Sequence, residues 1–215
     1  MGLKMPSSIH KTIKRFMDLA MTILFMLIFS WLYLIVAFLI WVQDRHNPIY
    51  HHTRIGLNKK SFEFYKFRSM VVNADEILFS NPEMLKKLRT GSNKIANDPR
   101  VTRIGKFIRK YSIDEIPQMY NVLKGDMSVI GPRALRPDEF EGFEKKSTAN
   151  REKLATMTSV KPGITGLWQV SGRSQINFEQ RIDMECEYAK RKSIMLDLYI
   201  ILKTPLAVLR GEGAY

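Results

Sequence analysis

An uncharged apolar run near the N-terminus constrains this chain more than any other feature. Residues 19–42, LAMTILFMLIFSWLYLIVAFLIWV, contain no charged side chain. As an α-helix the run would be about 36 Å long, and the hydrocarbon core of a bilayer is about 30 Å thick. It is too long for the apolar part of a cleaved signal peptide, and no small-residue cleavage site follows it. The run therefore predicts a protein that is bound to a membrane.

Basic residues flank both ends of this run: Lys4, Lys11, Lys14 and Arg15 precede it, and Arg45, Arg54, Lys59 and Lys60 follow it. The positive-inside rule expects one flank of a spanning helix to be poor in Lys and Arg. Both ends would face the cytosol if the helix bent back on itself, but residues 19–42 contain no Pro or Gly to bend it. Ser30 could bond to the carbonyl of Met26 and loosen the helix. The residues alone leave the spanning and the re-entrant topology open.

The charge balance indicates an acidic partner. The 215 residues include 34 Lys and Arg against 21 Asp and Glu, a net charge of +13. Nucleic acid, anionic lipid headgroups and phosphorylated small molecules all fit such a surface. The single cysteine, Cys186, excludes an internal disulfide and is typical of a packed apolar residue rather than a nucleophile.

The remaining patterns predict an α/β domain that is mostly helical and stands on the membrane. Residues 1–18 form a basic amphipathic lead-in, and GLNKK joins two strands into a hairpin of residues 49–54 and 62–67. The other predicted elements are helices in 71–95 (broken at Pro82), within 97–110 after a turn (with Ile104, Phe107 and Ile108 on one side), in 137–157 and in 177–192, a Gly-rich loop at 160–174, and an apolar segment at 193–210 that packs or lies on the membrane surface. We expect two parts: residues 1–43 with the lead-in and membrane helix, and residues 44–215 as the catalytic domain.

Histidine and tryptophan give weaker signals. His51 and His52 are neighbours on the first strand and would face opposite ways, so they cannot chelate one ion together, and His46 lies before that strand. We predict no metal role for these three residues. Trp168, in the Gly-rich loop, is more typical of a core residue than of a stacking platform.

Two adjacent carboxylates, Asp114 and Glu115, stand out in the segment SIDEIPQMYNVLKGDMSVIGPR. Ser112 and Glu115 match a capping box, but Pro117 would then occupy a helical position that needs a bonded N–H, so a later helix start with Asp114 near the N-cap fits better. A carboxylate there could also react, because such a helix end favours phosphate. Adjacent helical side chains point about 100° apart, which favours one nucleophile and one ligand of Mg²⁺. The residues alone leave capping and catalysis both open.

Five ordered blocks resemble a known family: YKFRSM, DPRVTRIGKFIRK, SIDEIPQMYNVLKGDMSVIGPR, KPGITGLWQVSGR and MLDLYIILKT. They look like the blocks of the monotopic bacterial sugar transferases, which are phosphoglycosyl transferases acting on polyprenyl phosphate, from about residue 14 to the C-terminus. The resemblance implies transfer of a sugar 1-phosphate from a UDP-sugar, UDP-glucose or UDP-galactose, to undecaprenyl phosphate. UMP would leave in a ping-pong reaction through a phosphosugar-Asp114 intermediate, as the first membrane step of exopolysaccharide, capsule or O-antigen synthesis.

The resemblance also implies roles for single residues. Asp114 corresponds to the nucleophile and Glu115 to the Mg²⁺ ligand. Lys66, Arg68, Arg109, Arg133 and Glu185 occupy positions that imply contact with the substrate or its phosphates. Arg100 and Arg103 are closer to ordinary surface bases, with lipid headgroups as the alternative partner.

Two positions depart from the family pattern. The family carries Ser-Pro midway along the membrane helix, where this chain has Ser30-Trp31, and it carries Asp where this chain has Glu185. We still expect a re-entrant helix, because Ser30 and both basic flanks remain. The longer side chain of Glu185 changes its reach, which makes a direct metal role for it less well supported.

These expectations place the chain in the bacterial inner membrane with its catalytic domain facing the cytosol. Membrane lipids, the UDP-sugar and undecaprenyl phosphate are the expected partners, nucleic acid is not, and a homodimer is compatible with the sequence. The rival interpretations are a non-catalytic, membrane-anchored basic module that binds anionic partners or regulates polysaccharide assembly, and a multi-span transferase without a covalent step. The single long apolar run argues against the latter.

Overall fold

A computed structural model describes residues 7–90, 95, 97–172 and 176–210 of the chain. The described part is mostly helical, as predicted, with two small sheets. The helices are α1 (Ser7–Asp44), α2 (Ala74–Phe79), α3 (Pro82–Thr90), α4 (Arg103–Lys110), α5 (Gln118–Lys124), α6 (Pro137–Glu144), α7 (Thr148–Met157), α8 (Leu167–Ser171), α9 (Phe178–Arg191) and α10 (Ile194–Arg210). The strands are β1 (Ile49–Ile55), β2 (Ser61–Phe67), β3 (Ser128–Ile130) and β4 (Gly163–Thr165).

Helix α1 contains the predicted apolar run and extends it by more than three turns into the basic lead-in. It is long and apolar enough to cross a membrane. One of its faces is uncovered, and the apolar side chains exposed there include Ile23, Leu24, Leu27, Leu34 and Phe38. The Ser30 hydroxyl donates to the carbonyl of Leu27 rather than to that of Met26, at 3.3 Å. The first six residues of the lead-in lie outside the described part.

The N-terminal end of α1 docks onto the rest of the chain through polar contacts. Arg15 donates to the carbonyls of Val122 and Leu123 at the end of α5, at 2.6 and 2.9 Å. The buried carboxylate of Asp18 accepts hydrogen bonds from the hydroxyl of Ser128 and the backbone N–H of Val129, both in β3. This end of α1 is therefore anchored to α5 and β3, the two elements that follow the acidic pair along the chain.

The C-terminal end of α1 docks onto the same body through apolar contacts. Val36 and Ile40 are buried in a cluster with Phe67 from β2 and Ile108 from α4. The ring of Tyr33 lies 4.9 Å from that of Phe67. Both ends of the apolar run therefore contact the rest of the described chain. The uncovered apolar face of α1 lies between and beside these contacts.

The predicted hairpin is confirmed. β1 and β2 pair antiparallel, with Tyr50 opposite Lys66 and His52 opposite Phe64. Alternation along the strands places Tyr50, His52 and Arg54 on one face together with Lys66. Asn121 of α5 fixes the hairpin from the side, because its side chain accepts from the N–H of Tyr65 and donates to the carbonyl of Glu63.

The predicted Gly-rich loop is wrong for residues 163–171, which form β4 and α8, and residues 173–175 of that loop lie outside the described part. β4 pairs parallel with β3. Glycine is required because the backbones nearly touch: a Cβ on Gly163 would lie 2.0 Å from the backbone N of Gly131. A three-residue strand surrounded by glycines carries too little alternation to be recognised in a sequence.

Three other expectations change in detail. The predicted helix at 137–157 is two helices, because Ser147 starts α7 by accepting from the N–H of Asn150. Phe107 does not join the buried side of α4 but is exposed, whereas Ile108 is buried. Arg100 is not a surface base, since it is buried and paired with Asp98 at 2.7 Å. The break of the 71–95 helix at Pro82 is confirmed by α2 and α3.

The last two helices close the core. Cys186 of α9 is buried and donates to the carbonyl of Lys153, which confirms a packed thiol. The hydroxyl of Tyr188 donates to the carboxylate of Asp197 in α10 at 2.7 Å, and the same carboxylate pairs with Lys14 of α1 at 2.9 Å. α10 buries Ile200 and exposes an apolar stripe made of Met195, Leu198, Tyr199, Leu202 and Leu206.

Candidate active site

The acidic pair occupies a 3-10 turn, Ile113–Glu115, between α4 and α5. The turn begins at Ser112, whose backbone is left-handed with φ of 55° and whose side chain makes no capping hydrogen bond. α5 starts only at Gln118, after Pro117. The capping box is therefore excluded, as Pro117 indicated, but the expectation that Asp114 caps the next helix is also wrong. Asp114 is buried for a reason other than helix capping.

Lys66 joins the two carboxylates of the pair. Its ammonium on β2 lies 3.2 Å from Oδ2 of Asp114 and 2.9 Å from Oε1 of Glu115. The guanidinium of Arg133, in the turn after β3, lies 3.0 Å from the same Glu115 oxygen. The two side chains therefore share one cation, although the sequence predicted that they point apart. Four of the residues that the resemblance implied are therefore brought together in one site: Lys66, Asp114, Glu115 and Arg133.

The surroundings separate the proton affinities of the two acids. Burial raises the pKa of Asp114, the attraction of Lys66 opposes that shift, and the charge of Glu115 adds to it. Burial would also raise the pKa of Glu115, but Arg133 and Lys66 outweigh it and hold that pKa far below its usual range. Two titratable groups with such different environments are typical of reaction centres. Glu115 is the permanently charged partner, and Asp114 is the group whose charge depends on its surroundings.

Glu185 supports the site from behind the Arg133 turn. Its side chain, on α9, is fully buried, and Oε1 accepts from the backbone N–H of Arg133 at 2.9 Å. Burial raises the pKa of Glu185 to about 7. Its Oε2 atom is buried and has no hydrogen-bond partner within the described ranges of the chain. Glu185 thus contacts the backbone of Arg133, whereas Glu115 contacts its side chain.

The two other predicted basic residues lie at the margin. Arg68 makes a backbone hydrogen bond to the carbonyl of Pro48, and its Nη1 atom is buried without a partner in the described part of the chain. Arg109 is in the last turn of α4, and its charge contributes a lowering effect on the pKa of Asp114. Arg109 therefore acts on the charge of Asp114, whereas the backbone contact of Arg68 is with the segment that precedes β1.

Sequence analysis missed several cations that face the site. Arg54 donates to His52 at 2.7 Å and to the carbonyl of Ala134 at 3.2 Å, and thereby ties the hairpin to the turn that carries Arg133. Burial lowers the pKa of Arg54 to about 9. Arg181 lies one helical turn before Glu185 on α9. The four-residue spacing between Arg181 and Glu185 was the signal that could have found it, because such residues share a helix face.

The oxygen ligands present fit a magnesium ion. Mg²⁺ characteristically takes one or two protein carboxylates and completes its shell with water and substrate phosphates. No group of three or more His, Cys, Asp or Glu side chains converges within the described residues, so an all-protein metal cage is not found there. Glu115 uses Oε1 for Lys66 and Arg133, and no described side chain bonds to its Oε2. A site with one available carboxylate matches a metal that is shared with a phosphorylated substrate.

Comparison with known proteins places this geometry in a family. The model of the family described as "Bacterial sugar transferase" matches residues 9–211. The chain is 39% identical to "Undecaprenyl-phosphate galactose phosphotransferase" of Salmonella typhimurium strain LT2, covering 94% of this chain and 42% of the relative. It is 37% identical to "Exopolysaccharide production protein ExoY" of Rhizobium meliloti strain 1021, covering 94% of this chain and 88% of the relative.

A third relative, "Galactosyl transferase CpsE" of Streptococcus agalactiae serotype III, is 44% identical over 95% of this chain and 44% of its own length. The chain thus spans less than half of several relatives and nearly all of others, so the matched region is the part that they share. The family match covers both the membrane helix α1 and every residue of the acidic site. The chain belongs to the bacterial sugar transferase family.

Proposed function

We propose that the chain transfers a sugar 1-phosphate from a UDP-sugar to undecaprenyl phosphate, releasing UMP and forming an undecaprenyl-diphosphate sugar. The observation that carries this proposal is the buried Asp114 beside Glu115, with Lys66 bridging the two carboxylates and Arg133 paired with Glu115. A carboxylate attacks a phosphate only where cations offset the repulsion between the two anions. An ion pair with a purely structural role would not require two adjacent acids that are contacted by cations from two separate elements.

The proposed reaction has two displacements at one phosphorus. In the first, an oxygen of Asp114 bonds to the β-phosphorus of the UDP-sugar, the bond from that phosphorus to the bridging oxygen breaks, and UMP leaves with the electron pair. In the second, a phosphate oxygen of undecaprenyl phosphate attacks the same phosphorus and the Asp114 carboxylate is released. Lys66 stays beside Asp114 to hold the carboxylate ionised before attack, and Arg133 orients Glu115.

Magnesium is part of the proposal. Glu115 would hold Mg²⁺, because it is the acid of the pair whose pKa lies far below its usual range and which is therefore ionised at any physiological pH. When bound, such an ion neutralises charge on the phosphates of the substrate and of the leaving group. Asp114, whose pKa is raised instead, then remains the group available for attack.

We also propose that α1 is re-entrant, with both ends on the cytosolic side of the inner membrane. Its N-terminal end binds α5 and β3 through Arg15 and Asp18, and its C-terminal end packs on Phe67 and Ile108. A helix that crossed the bilayer would carry one of these ends to the opposite side, away from its contacts. The basic flanks at both ends support the same arrangement. The division into residues 1–43 and 44–215 belongs to this proposal.

The donor sugar is proposed from the relatives. The Salmonella protein is named as a galactose phosphotransferase and the Erwinia amylovora protein, 40% identical over 85% of this chain, as a UDP-galactose-lipid carrier transferase. An Aeromonas hydrophila relative is named for N-acetylgalactosamine. These names support UDP-galactose as the donor, and UDP-glucose is proposed beside it from the resemblance of the sequence blocks alone, with exopolysaccharide, capsule or O-antigen synthesis as the setting.

A UMP-release assay tests this function. Purified protein in detergent is incubated with undecaprenyl phosphate, Mg²⁺ and, in turn, UDP-galactose, UDP-glucose and UDP-N-acetylgalactosamine. We expect UMP from at least one donor, and a loss of at least about 1,000-fold for Asp114→Asn, which removes the nucleophile. The matched control is Glu141→Gln, an exposed acid on α6 that pairs with Lys145. If no donor yields UMP, or if Asp114→Asn is as active as the wild type, the basic module without catalysis becomes the better interpretation.

A further inference from the structure

The surroundings of Arg181 are not explained by contacts with the hairpin or with the acidic pair. Its Nε atom is buried without a hydrogen-bond partner, and no ion pair joins it to a carboxylate in the described part of the chain. Burial and the nearby charge of Arg133 both lower the pKa of Arg181, and Glu185 and Glu139 oppose this only through longer-range attraction. A half-buried guanidinium whose buried Nε–H has no acceptor among the described residues is costly, because the desolvation of that donor is not compensated. Such a group is expected where a ligand supplies the missing acceptors.

The position of Arg181 is fixed by an aromatic ring. Its guanidinium lies 4.7 Å from the ring of Trp168 in α8, and the guanidinium of Arg133 lies 5.9 Å from the same ring. Trp168 thus holds two arginines near each other, although their charges repel. The Nε1 atom of Trp168 is itself buried and has no hydrogen-bond partner among the described residues. Two arginines and an indole N–H are all donors, so the group that would satisfy them must be an acceptor.

The same cluster is continuous with the acidic site. Arg133 reaches Oε1 of Glu115 on one side and lies over Trp168 on the other. An anion held between Arg133 and Arg181 would therefore lie next to the reacting groups. A phosphate oxygen is the acceptor that best matches two guanidinium groups, since each can bind it through two parallel N–H groups.

We propose that Arg181, supported by the ring of Trp168, is a further substrate-binding residue that binds a phosphate group beside Arg133. The inference rests on the proposed function, and it adds a binding site on α9 that neither the motif nor the acidic pair assigns. The phosphate belongs either to the nucleotide half of the UDP-sugar or to undecaprenyl phosphate, and the two sources give different results in the experiment below.

The first test measures binding without turnover. The chain has three tryptophans, so full-length protein with W31F and W41F leaves Trp168 as the reporting fluorophore. Titration with UMP, UDP and inorganic pyrophosphate is expected to change its emission saturably. Arg181→Gln is expected to weaken binding of the phosphate-bearing ligand about 10- to 100-fold, and Arg181→Lys to restore part of the loss. Arg191→Gln, on the same helix and paired with Glu187 at the surface, is the matched control and should bind like its parent.

The second test identifies the source of the phosphate. If Arg181 binds the nucleotide, Arg181→Gln raises the KM for the UDP-sugar and the dissociation constants of UMP and UDP, and leaves the KM for undecaprenyl phosphate unchanged. If it binds the lipid phosphate, only the KM for undecaprenyl phosphate rises. Unchanged values for both substrates overturn the inference. If no UDP-sugar yields UMP but pyrophosphate binding still depends on Arg181, the proposed function fails while the phosphate site stands.

Thermal unfolding without ligand separates binding from a structural role. A half-buried cation without an ion pair among the described residues contributes little to stability, so Arg181→Met should unfold at the same temperature as the wild type or higher. Added UDP should raise the unfolding temperature of the wild type more than that of Arg181→Met. A large drop in the unfolding temperature of the unliganded variant would show that Arg181 is structural and would overturn the inference.

Discussion

At the residue scale, the site depends on how a few cations share two adjacent carboxylates. Lys66 contacts both Asp114 and Glu115, whereas Arg133 contacts Glu115 alone. Glu115 therefore has two cations, and Asp114 has one while it is also the more deeply buried of the two. This difference separates a permanently charged acid from one with a raised pKa, and it makes Lys66 the residue on which the ionisation of Asp114 depends most.

Replacing Lys66 should change the rate and its pH dependence together. Lys66→Gln removes the attraction that opposes the raised pKa of Asp114, so that pKa rises further and the acid limb of kcat/KM moves to higher pH. We expect kcat/KM near neutral pH to fall about 100- to 1,000-fold. A pH–rate profile of UMP release measures both effects, with Lys59→Gln, which lies at the hairpin tip and pairs with Glu144, as the control. An acid limb that stays in place would mean that Lys66 does not govern the ionisation of Asp114.

Glu185 should make stability depend on pH. Its pKa is about 7 in the folded protein against 4.5 for an ordinary Glu. Between these values the folded protein keeps a proton that the unfolded chain has lost, so the free energy of unfolding falls as pH rises, by about 3 kcal/mol in total. Glu185→Gln lacks this slope. Urea unfolding at pH 5 and pH 8 should show the variant gaining stability relative to the wild type at the higher pH, and an unchanged difference would refute the raised pKa.

At the element scale, the site is assembled from short pieces that pack at very close range. The turn that carries Arg133 lies against β4, because the carbonyl of Pro132 accepts from the N–H of Gly163 and the N–H of Gly131 donates to the carbonyl of Thr165. Arg54 holds the same turn from the hairpin. The glycines of this region therefore allow the backbones of β3 and β4 to lie in close contact, and their role is not to make a loop flexible.

A single added methyl group should separate these strands. In Gly163→Ala the new Cβ would lie 2.0 Å from the backbone N of Gly131, so the pairing must open, and we expect a loss of about 2 to 4 kcal/mol in the free energy of unfolding together with lower activity. In the control Gly142→Ala, on α6, no atom lies within 4 Å of the new Cβ. That variant should be as stable as the wild type or gain up to about 1 kcal/mol. Equal stability of the two variants in urea unfolding would contradict the close packing.

The sequence predicted the elements with strong periodicity and missed those defined by tertiary contacts. The hairpin followed from alternating residues around GLNKK, and the helix break at Pro82 followed from proline chemistry. β4 and α8 were missed because only the approach of β3 gives residues 163–165 a partner. In the site, the roles of the acidic pair and of Lys66 were predicted from the resemblance to the family. Arg54 and Arg181 became apparent only because the structure brings distant elements together at the turn that carries Arg133.

At the scale of the whole molecule, the membrane helix is part of the folded body. Lys14 pairs with Asp197 of α10, whose carboxylate also accepts from Tyr188 of α9. One buried polar network therefore joins α1, α9 and α10, while α1 and α10 both keep exposed apolar faces. This arrangement is suited to the proposed reaction with a lipid-linked acceptor, because the elements with exposed apolar faces are directly attached to those that carry the site.

Labelling of introduced cysteines should place both ends of α1 on one side of the membrane. In a Cys186→Ser background, Lys11→Cys and His46→Cys lie at exposed positions near the two ends of the helix. An impermeant maleimide added to spheroplasts should label neither cysteine, and both should react after permeabilisation. Labelling of one end alone in sealed spheroplasts would show that α1 spans the bilayer, and the re-entrant proposal would then be wrong.

The covalent role of Asp114 is the central claim, and isotope exchange tests it most directly. The protein is incubated with Mg²⁺, unlabelled UDP-sugar and radiolabelled UMP, without undecaprenyl phosphate. A phosphosugar-Asp114 intermediate predicts that label enters the UDP-sugar pool, because UMP can attack the adduct and re-form the donor, and that Asp114→Asn abolishes this exchange while Glu141→Gln does not. Complete transfer to undecaprenyl phosphate in a parallel reaction, with no exchange in its absence, would show direct attack by the lipid and would contradict the account.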